Sequence, residues 1–248
     1  MDMTHAILTA LAGWLLGGFI NGIVGFGAAL VAMPIVALGL DMRTAVPTCG
    51  LVVLALNIQM TWSYRAHLDT SGIRALFLGA LPGAATGVLL LRHFPEAWLK
   101  TGLGLLLAAY ALWGLCSAQP HARRLAAGWG ALAGFLSTSL GTAFGFNGPP
   151  LAVYLSLRGG SQREIKAALG AFFIVSGMFI VTAHGLAGLY SVRALTLFAV
   201  ALPAVILGGW AGIRVSGRFG EGHFRRILFA MIMVMGLSMI RGALSSVN

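Results

Sequence analysis

Gly17–Pro34 reads GGFINGIVGFGAALVAMP, and Ala133–Pro150 reads AGFLSTSLGTAFGFNGPP. The stretches align without a gap: Gly18 falls on Gly134, Gly25 on Gly141 and Pro34 on Pro150, each pair 116 residues apart. Both lie inside long apolar runs, where glycine and proline at this density interrupt a helix. An interruption at bilayer depth frees backbone N–H and C=O groups that lipid cannot satisfy, so it is tolerated only where it is buried in protein or lines a cavity. Two such breaks in corresponding halves of one chain point to a transporter's binding site.

The rest of the composition agrees. Of the 248 residues, 58% are hydrophobic and 9% charged, against roughly 25% charged in soluble domains. Mean hydropathy is +0.91. A soluble fold of this length could not hide so much apolar surface, so the chain reads as a polytopic, all-α membrane protein. The net charge of +10 comes from 16 Lys and Arg against 6 Asp and Glu. The basic residues stand singly or in pairs between apolar segments, as short loops do under the positive-inside rule. No basic stripe with interleaved aromatics exists, which argues against nucleic acid as a partner. Cys49 and Cys116 stand alone in apolar sequence and read as small buried hydrophobes. No motif implies a metal or a cofactor. The N-terminus lacks the basic start of a signal peptide, so the first apolar run is expected to stay in the membrane.

Charge-poor segments run at roughly 6–40, 44–64, 72–91, 98–117, 125–157, 165–190, 192–213 and 224–240. Six suit one crossing of about 20 residues. The first and fifth, each about 33 to 35 residues with a break near the middle, are too long for one span and too short for two. Each could enter as a half-helix, turn at the glycines and return. That leaves three crossings per half and inverted repeats. Each could instead cross once as a discontinuous or tilted helix, giving four plus four crossings and parallel repeats. Alternate loops then carry 10 against 6 basic residues with eight crossings, or 5 against 11 with two hairpins. Both place the N-terminus outside, and the inverted arrangement is favoured.

The duplication extends beyond the breaks. Gly50 matches Gly170, Pro82 matches Pro203, Gly87 matches Gly208, and Trp98–Leu99–Lys100 echoes Phe224–Arg225–Arg226. The expected units are a first transmembrane repeat, 1–118, and a second, 119–248, joined across Cys116–Arg124.

All six carboxylates (Asp2, Asp41, Asp69, Glu96, Glu164, Glu221) fall at or near segment ends, although an intramembrane ionisable residue is the usual functional signal. That argues against a carboxylate dyad, a metal site or a carboxylate proton relay at depth. His184 is the candidate for proton coupling, set against the simpler reading of a hydrogen-bonded interfacial histidine. The remaining groups at depth are neutral donors. In the first break they are Asn21, Gly25, Phe26 and Gly27. In the second they are Ser137, Thr138, Ser139, Gly141, Thr142, Asn147 and Gly148, with the amide of Gly145. Helix N-termini present unpaired N–H groups and a partial positive charge, which makes an anion site without a formal cation. Asn147 suits an N-cap and Pro149 the first helical turn. The competing reading is that the glycines only pack helices. Asn57, Gln59 and Thr61 divide evenly between lining a site and bonding helix to helix. Trp62, Trp98 and Trp113 read as an interfacial belt. Arg43, Arg158 and Arg163 flank the broken segments, as anion entrances or simply as topological charge.

At these residues the chain resembles the sulfite exporter TauE/SafE family, also called the toluenesulfonate uptake permease family. The resemblance rests on Gly18, Asn21, Gly22, Gly25, Phe26, Gly27 and Pro34, and on Gly134–Gly141 followed by Gly148–Tyr154; length and two related halves agree over essentially the whole chain. The family often has a run of glycines where this chain has Gly27-Ala28-Ala29, and a glycine where Thr138 stands. These departures bear on any transfer of a particular substrate. The resemblance implies transport of sulfite, sulfoacetate or another small sulfonate across a bacterial inner membrane, more commonly as export.

The expectation is therefore a secondary carrier for a small anion in the lipid bilayer, with alternating access around the breaks. An anion channel using the same donors is the alternative. A membrane enzyme lacks any convergence of His, Cys and carboxylates. Oligomeric state stays open, a homodimer included.

Overall fold

The computed structural model describes residues 3–67, 73–116, 126–158, 162–216 and 221–245. Among the described residues there are ten α-helices and no strand. They are α1 (Met3–Val24), α2 (Ala28–Gly39), α3 (Met42–Tyr64), α4 (Ile73–His93), α5 (Glu96–Cys116), α6 (Ala127–Phe144), α7 (Gly148–Arg158), α8 (Gln162–Leu186), α9 (Val192–Val215) and α10 (Glu221–Ser245). A short second member occurs in each set of five, so the order long, short, long, long, long is written twice. Six helices, α1, α3, α4, α5, α8 and α9, are long and apolar enough to cross a membrane. Residues 117–125, which hold most of the expected linker, lie outside the described residues.

Each break separates a longer helix from a shorter one. The 22 residues of α1 rise about 33 Å, enough to cross a hydrocarbon core, whereas the 12 of α2 rise only about 18 Å. At the first break the outward leg is therefore long enough to cross and the returning leg is the short one. α2 doubles back along α1, because Gly17 abuts Ala28 while Gly13 abuts Ala32 and Val36. In the second half α6 has 18 residues and α7 has 11. α7 also folds back, with Tyr154 against Gly130 and Asn147 against Gly141.

Close approaches fix the remaining directions. α3 runs antiparallel to α8, with Gly50 meeting Ile180 and His184, Leu54 meeting Gly177, and Thr61 meeting Gly170. α5 runs antiparallel to α10, with Gly104 against Gly236 and Ile240, and Gly114 against Phe229. α1 lies parallel to α9, α4 parallel to α6 and α3 parallel to α9. Odd-numbered helices therefore run one way and even-numbered helices the other. Where α3, α4 and α5 meet, Met42 N donates to both Glu96 carboxylate oxygens at 3.0 and 3.1 Å, and Arg43 Nη2 donates to Arg92 O at 2.9 Å. Asp41 caps α3 through Thr44 N at 2.9 Å. Glu96 and Glu164 fall in first turns, so these carboxylates stand at helix ends as expected.

Lipid offers no hydrophobic drive between spanning helices, so they associate by close backbone packing across small residues. The tightest seams cross between the halves. Gly18 and Gly22 of α1 meet Val205, Gly209 and Gly212 of α9; Gly130 and Gly134 of α6 face α4, whose Gly79, Gly83 and Gly87 lie on the same seam. The contacts set a register. Gly134 meets Leu76 as Gly18 meets Val205, and Gly79 and Gly83 occupy the places of Gly208 and Gly212. The equivalence is thus an offset of 129, pairing LFLGALPG with VILGGWAG. The matches Pro82–Pro203 and Gly87–Gly208 are corrected accordingly: packing selects glycines on one helix face, not similar tripeptides.

Candidate functional site

Both breaks turn on left-handed glycines, with φ of +97° at Gly25, +103° at Gly27 and +73° at Gly145. Other residues enter this region only under strain. In the first break Asn21, buried on α1, reaches across the turn: its Oδ1 accepts from Ala28 N at 3.3 Å. Gly27 is the N-cap position of α2 and has no side chain to offer, so Asn21 supplies the cap from seven residues away. In the second break Gly145 N returns to Gly141 O, closing α6, and Ser137 Oγ donates to Asn147 O.

The breaks come together. Gly148 abuts the Phe26 ring, and Gly145 abuts Cys49 and Met33. Two adjoining clefts lie between them. One is lined by Asn21, Gly27, Ala28, Asn57, Asn147 and Gly148, with Phe146 and Phe173 as apolar walls. The other continues past Asn57, Asn147 and Phe173 to Gly141, Gly145, Cys49 and Ile180. Asn57 and Phe173 belong to the middle reaches of α3 and α8, where Leu54 crosses Gly177, so the clefts sit well inside the bundle.

Polar accounting identifies the chemistry on offer. Asn21 Nδ2 and Asn57 Nδ2 are both buried with no protein hydrogen-bond partner, and both residues line the first cleft. Buried donors are ordinarily satisfied, and an orphan costs roughly 1–3 kcal/mol. With the amino-terminal end of α2 beside them, two side-chain amides and a helix dipole present positive charge to one small space. Among the described residues no cluster of three His, Cys, Asp or Glu could hold a metal.

Of the residues singled out by sequence, Asn21, Gly27, Gly141, Asn147 and Gly148 line these clefts. Phe26 packs on Gly148, and Gly25 faces the Lys166 stem. The hydroxyls of the second break are placed elsewhere. Thr138 and Thr142 lie against Gly83 and Gly87 of α4, as does the backbone of Ser139, and Thr142 Oγ1 donates back to Thr138 O at 2.8 Å. His184 is fully buried, with its Nε2 2.9 Å from Thr142 O. It is tied to α6 and sits beside Gly50 rather than at the bundle surface. Arg43 and Arg158 stand at helix ends outside the clefts. Arg163 lies in the first turn of α8, and its side chain is outside the described residues.

Two residues went unassigned by sequence. Asn57 was left between two readings; Gln59 takes the other one, donating to Ile206 O at 3.2 Å. Lys166 was missed. Its Nζ donates to Ile23 O at 2.7 Å and to Ser216 Oγ at 2.9 Å, at the first break. The signal was a lone lysine inside an apolar run, QREIKAALG, rather than before it.

A family model described as "Sulfite exporter TauE/SafE" matches residues 10–239. A protein of Cupriavidus necator described as "Probable sulfite/organosulfonate exporter TauE" is 29% identical over 236 residues, covering 93% of this chain and 92% of that one. No solved structure matches.

Proposed function

This chain belongs to the sulfite exporter TauE/SafE family of membrane transporters, and from that premise we propose that it carries sulfite or a small sulfonate out of the cell by alternating access around the two breaks. It is a multi-pass inner-membrane protein and not an enzyme. The observation that carries the reading is the pair of orphaned amide donors, Asn21 Nδ2 and Asn57 Nδ2, at one cleft between the breaks. An oxyanion has several lone pairs for such donors and needs no buried cation to balance it.

The same reading takes the two sets of five helices as inverted repeats, the second-half helices turned end over end. Support comes from the corresponding helices: α3 lies antiparallel to α8, and α5 to α10. Parallel repeats would set each such pair in the same direction. Basic residues support an orientation. Among the described residues, Arg43, Arg92, Lys100, Arg193 and Arg241 fall at the end where α1 begins, and Arg65, Arg74, Arg158, Arg163, Lys166, Arg214, Arg225 and Arg226 at the opposite end. By the positive-inside rule the opposite end is cytoplasmic and the N-terminus outside.

The test is sulfite flux in proteoliposomes. Saturation and counterflow are expected, with both lost or weakened in Asn21→Ala and Asn57→Leu. Unsaturable flux at high conductance would replace the carrier with a channel, and unaltered flux in both variants would remove the site from between the breaks.

A further inference from the structure

We propose that Lys166 is a latch and anion sensor on the cytoplasmic side only, so that the two gates of this carrier open by different rules. The inference rests on the transport reading above and concerns the same site.

Three elements converge at Lys166. Its ammonium, in the first turns of α8, donates to Ile23 O at the end of α1 at 2.7 Å and to Ser216 Oγ at the end of α9 at 2.9 Å. Ser216 Oγ in turn donates to Ile23 O at 3.3 Å. The last carbonyls of a helix carry partial negative charge and lack intrahelical partners, so a cation there holds the helix end in place. The lysine stem packs on Gly25, whose added β-carbon would stand 2.6 Å from Lys166 Cγ. The ammonium is therefore attached to the first break itself. It ties α1, α8 and α9 together at the end that carries most of the basic charge.

The corresponding place in the other half has no such tie. The break alignment carries Ile23 to Ser139, the α9 seam carries Ser216 to Gly87, and the α3–α8 match carries Lys166 to Val46. The geometry follows this mapping, since an added β-carbon on Gly87 would stand 2.6 Å from Ser139 O. Where one half has lysine, serine and a carbonyl, the other has valine, glycine and a carbonyl. Val46 is fully buried and brings no charge. Inverted repeats of identical chemistry would treat the two sides of the membrane alike, and this substitution removes that equivalence.

The consequence is chemical. A carbonyl oxygen offers Lys166 a partial charge, whereas an arriving sulfite or sulfonate offers a full one, and charge-assisted hydrogen bonds are about twice as strong as neutral ones. An anion from the cytoplasm displaces Ile23 O from the ammonium. That releases the end of α1 from α8, while Ser216 Oγ and the glycine seam keep it on α9, and loosens the first break toward the cleft. An anion from the opposite side meets no such exchange.

The experiment measures half-saturation for sulfite separately from each side, in vesicles of determined orientation, for the wild type, Lys166→Met, Lys166→Arg and Asn57→Leu. Lys166→Met should raise the cytoplasmic value about tenfold or more and leave the opposite value within about twofold, and Lys166→Arg should recover part of the difference. Asn57→Leu should weaken both sides together. A Lys166→Met effect equal on both sides, or absent on both, overturns the latch while the transport reading stands. A wild type without saturable flux overturns both.

Discussion

Asn57→Asp is the most discriminating change at the cleft. The two side chains have nearly the same shape, so α3 keeps its contacts with α8 and α9 while one donor is replaced by a charged acceptor. Asn57 lines both clefts, and its Nδ2 has no protein partner. A bound oxyanion accepting from that nitrogen would place its charge about 4 Å from the new carboxylate. At an effective dielectric of about 20, two like charges at that distance repel by about 4 kcal/mol, close to a thousandfold in affinity. Removing the donor alone, as in Asn57→Leu, costs about 1.5–3 kcal/mol for a bond to a charged group, or some 10- to 150-fold. The two variants should therefore differ by at least several-fold, with Asp the weaker binder. The assay is binding of methanesulfonate, whose charge does not vary over the range used, to purified protein between pH 5 and 8. In Asn57→Asp the affinity should recover as pH falls, because protonation neutralises the carboxyl and removes the repulsion. Wild-type affinity in Asn57→Asp at pH 8, or affinity that rises with pH, would refute an anion at this position.

Other outcomes follow from the packing. Gly145→Ala forces a β-carbon into a left-handed residue and to 2.8 Å from Cys49 Sγ; a loss of about 1–3 kcal/mol is expected in unfolding from mild detergent. Gly22→Leu should separate α1 from α9, since even a β-carbon would stand 2.7 Å from Ile213 N; its thermal transition in detergent should fall, whereas Gly128→Ala, with nothing within 4 Å, should leave it unchanged. Asn21→Ala removes the reach to Ala28 N, costing about 1 kcal/mol of stability, and should weaken anion binding as well. Asn21→Asp keeps the cap and should weaken only binding, which separates the two roles in parallel melting and titration.

Much of the architecture was legible in the sequence because glycine and proline have local meaning. The breaks fall at Gly25–Gly27 and Gly145–Asn147, within the stretches that aligned at 116 residues. What a sequence does not carry is the face of a helix that a residue occupies. Ser137, Thr138, Ser139 and Thr142 formed a donor-rich run, yet Thr138 and Thr142 fall on the α4 seam, and only cross-half contacts reveal it. Pro82 and Pro203 looked equivalent for the same reason, until the glycine seams set the register. Asn57 and Gln59 were indistinguishable as polar residues two apart in one segment. The pitch of α3 sends Gln59 to Ile206 and leaves Asn57 at the clefts. Lys166 stands at the edge of an apolar segment, and its partners, Ile23 and Ser216, are 143 and 50 residues away in sequence.

The central claim is a small sulfur oxyanion held between the breaks by Asn21 and Asn57. Its most direct test is competitive counterflow in proteoliposomes loaded with sulfite and challenged with sulfoacetate, thiosulfate, sulfate, taurine or matched carboxylates. Saturable exchange that prefers sulfite or a sulfonate, and collapses in the Asn21→Asp, Asn57→Asp double variant, is the predicted result. Preference for carboxylates over every sulfur oxyanion, or full exchange in the double variant, would contradict it.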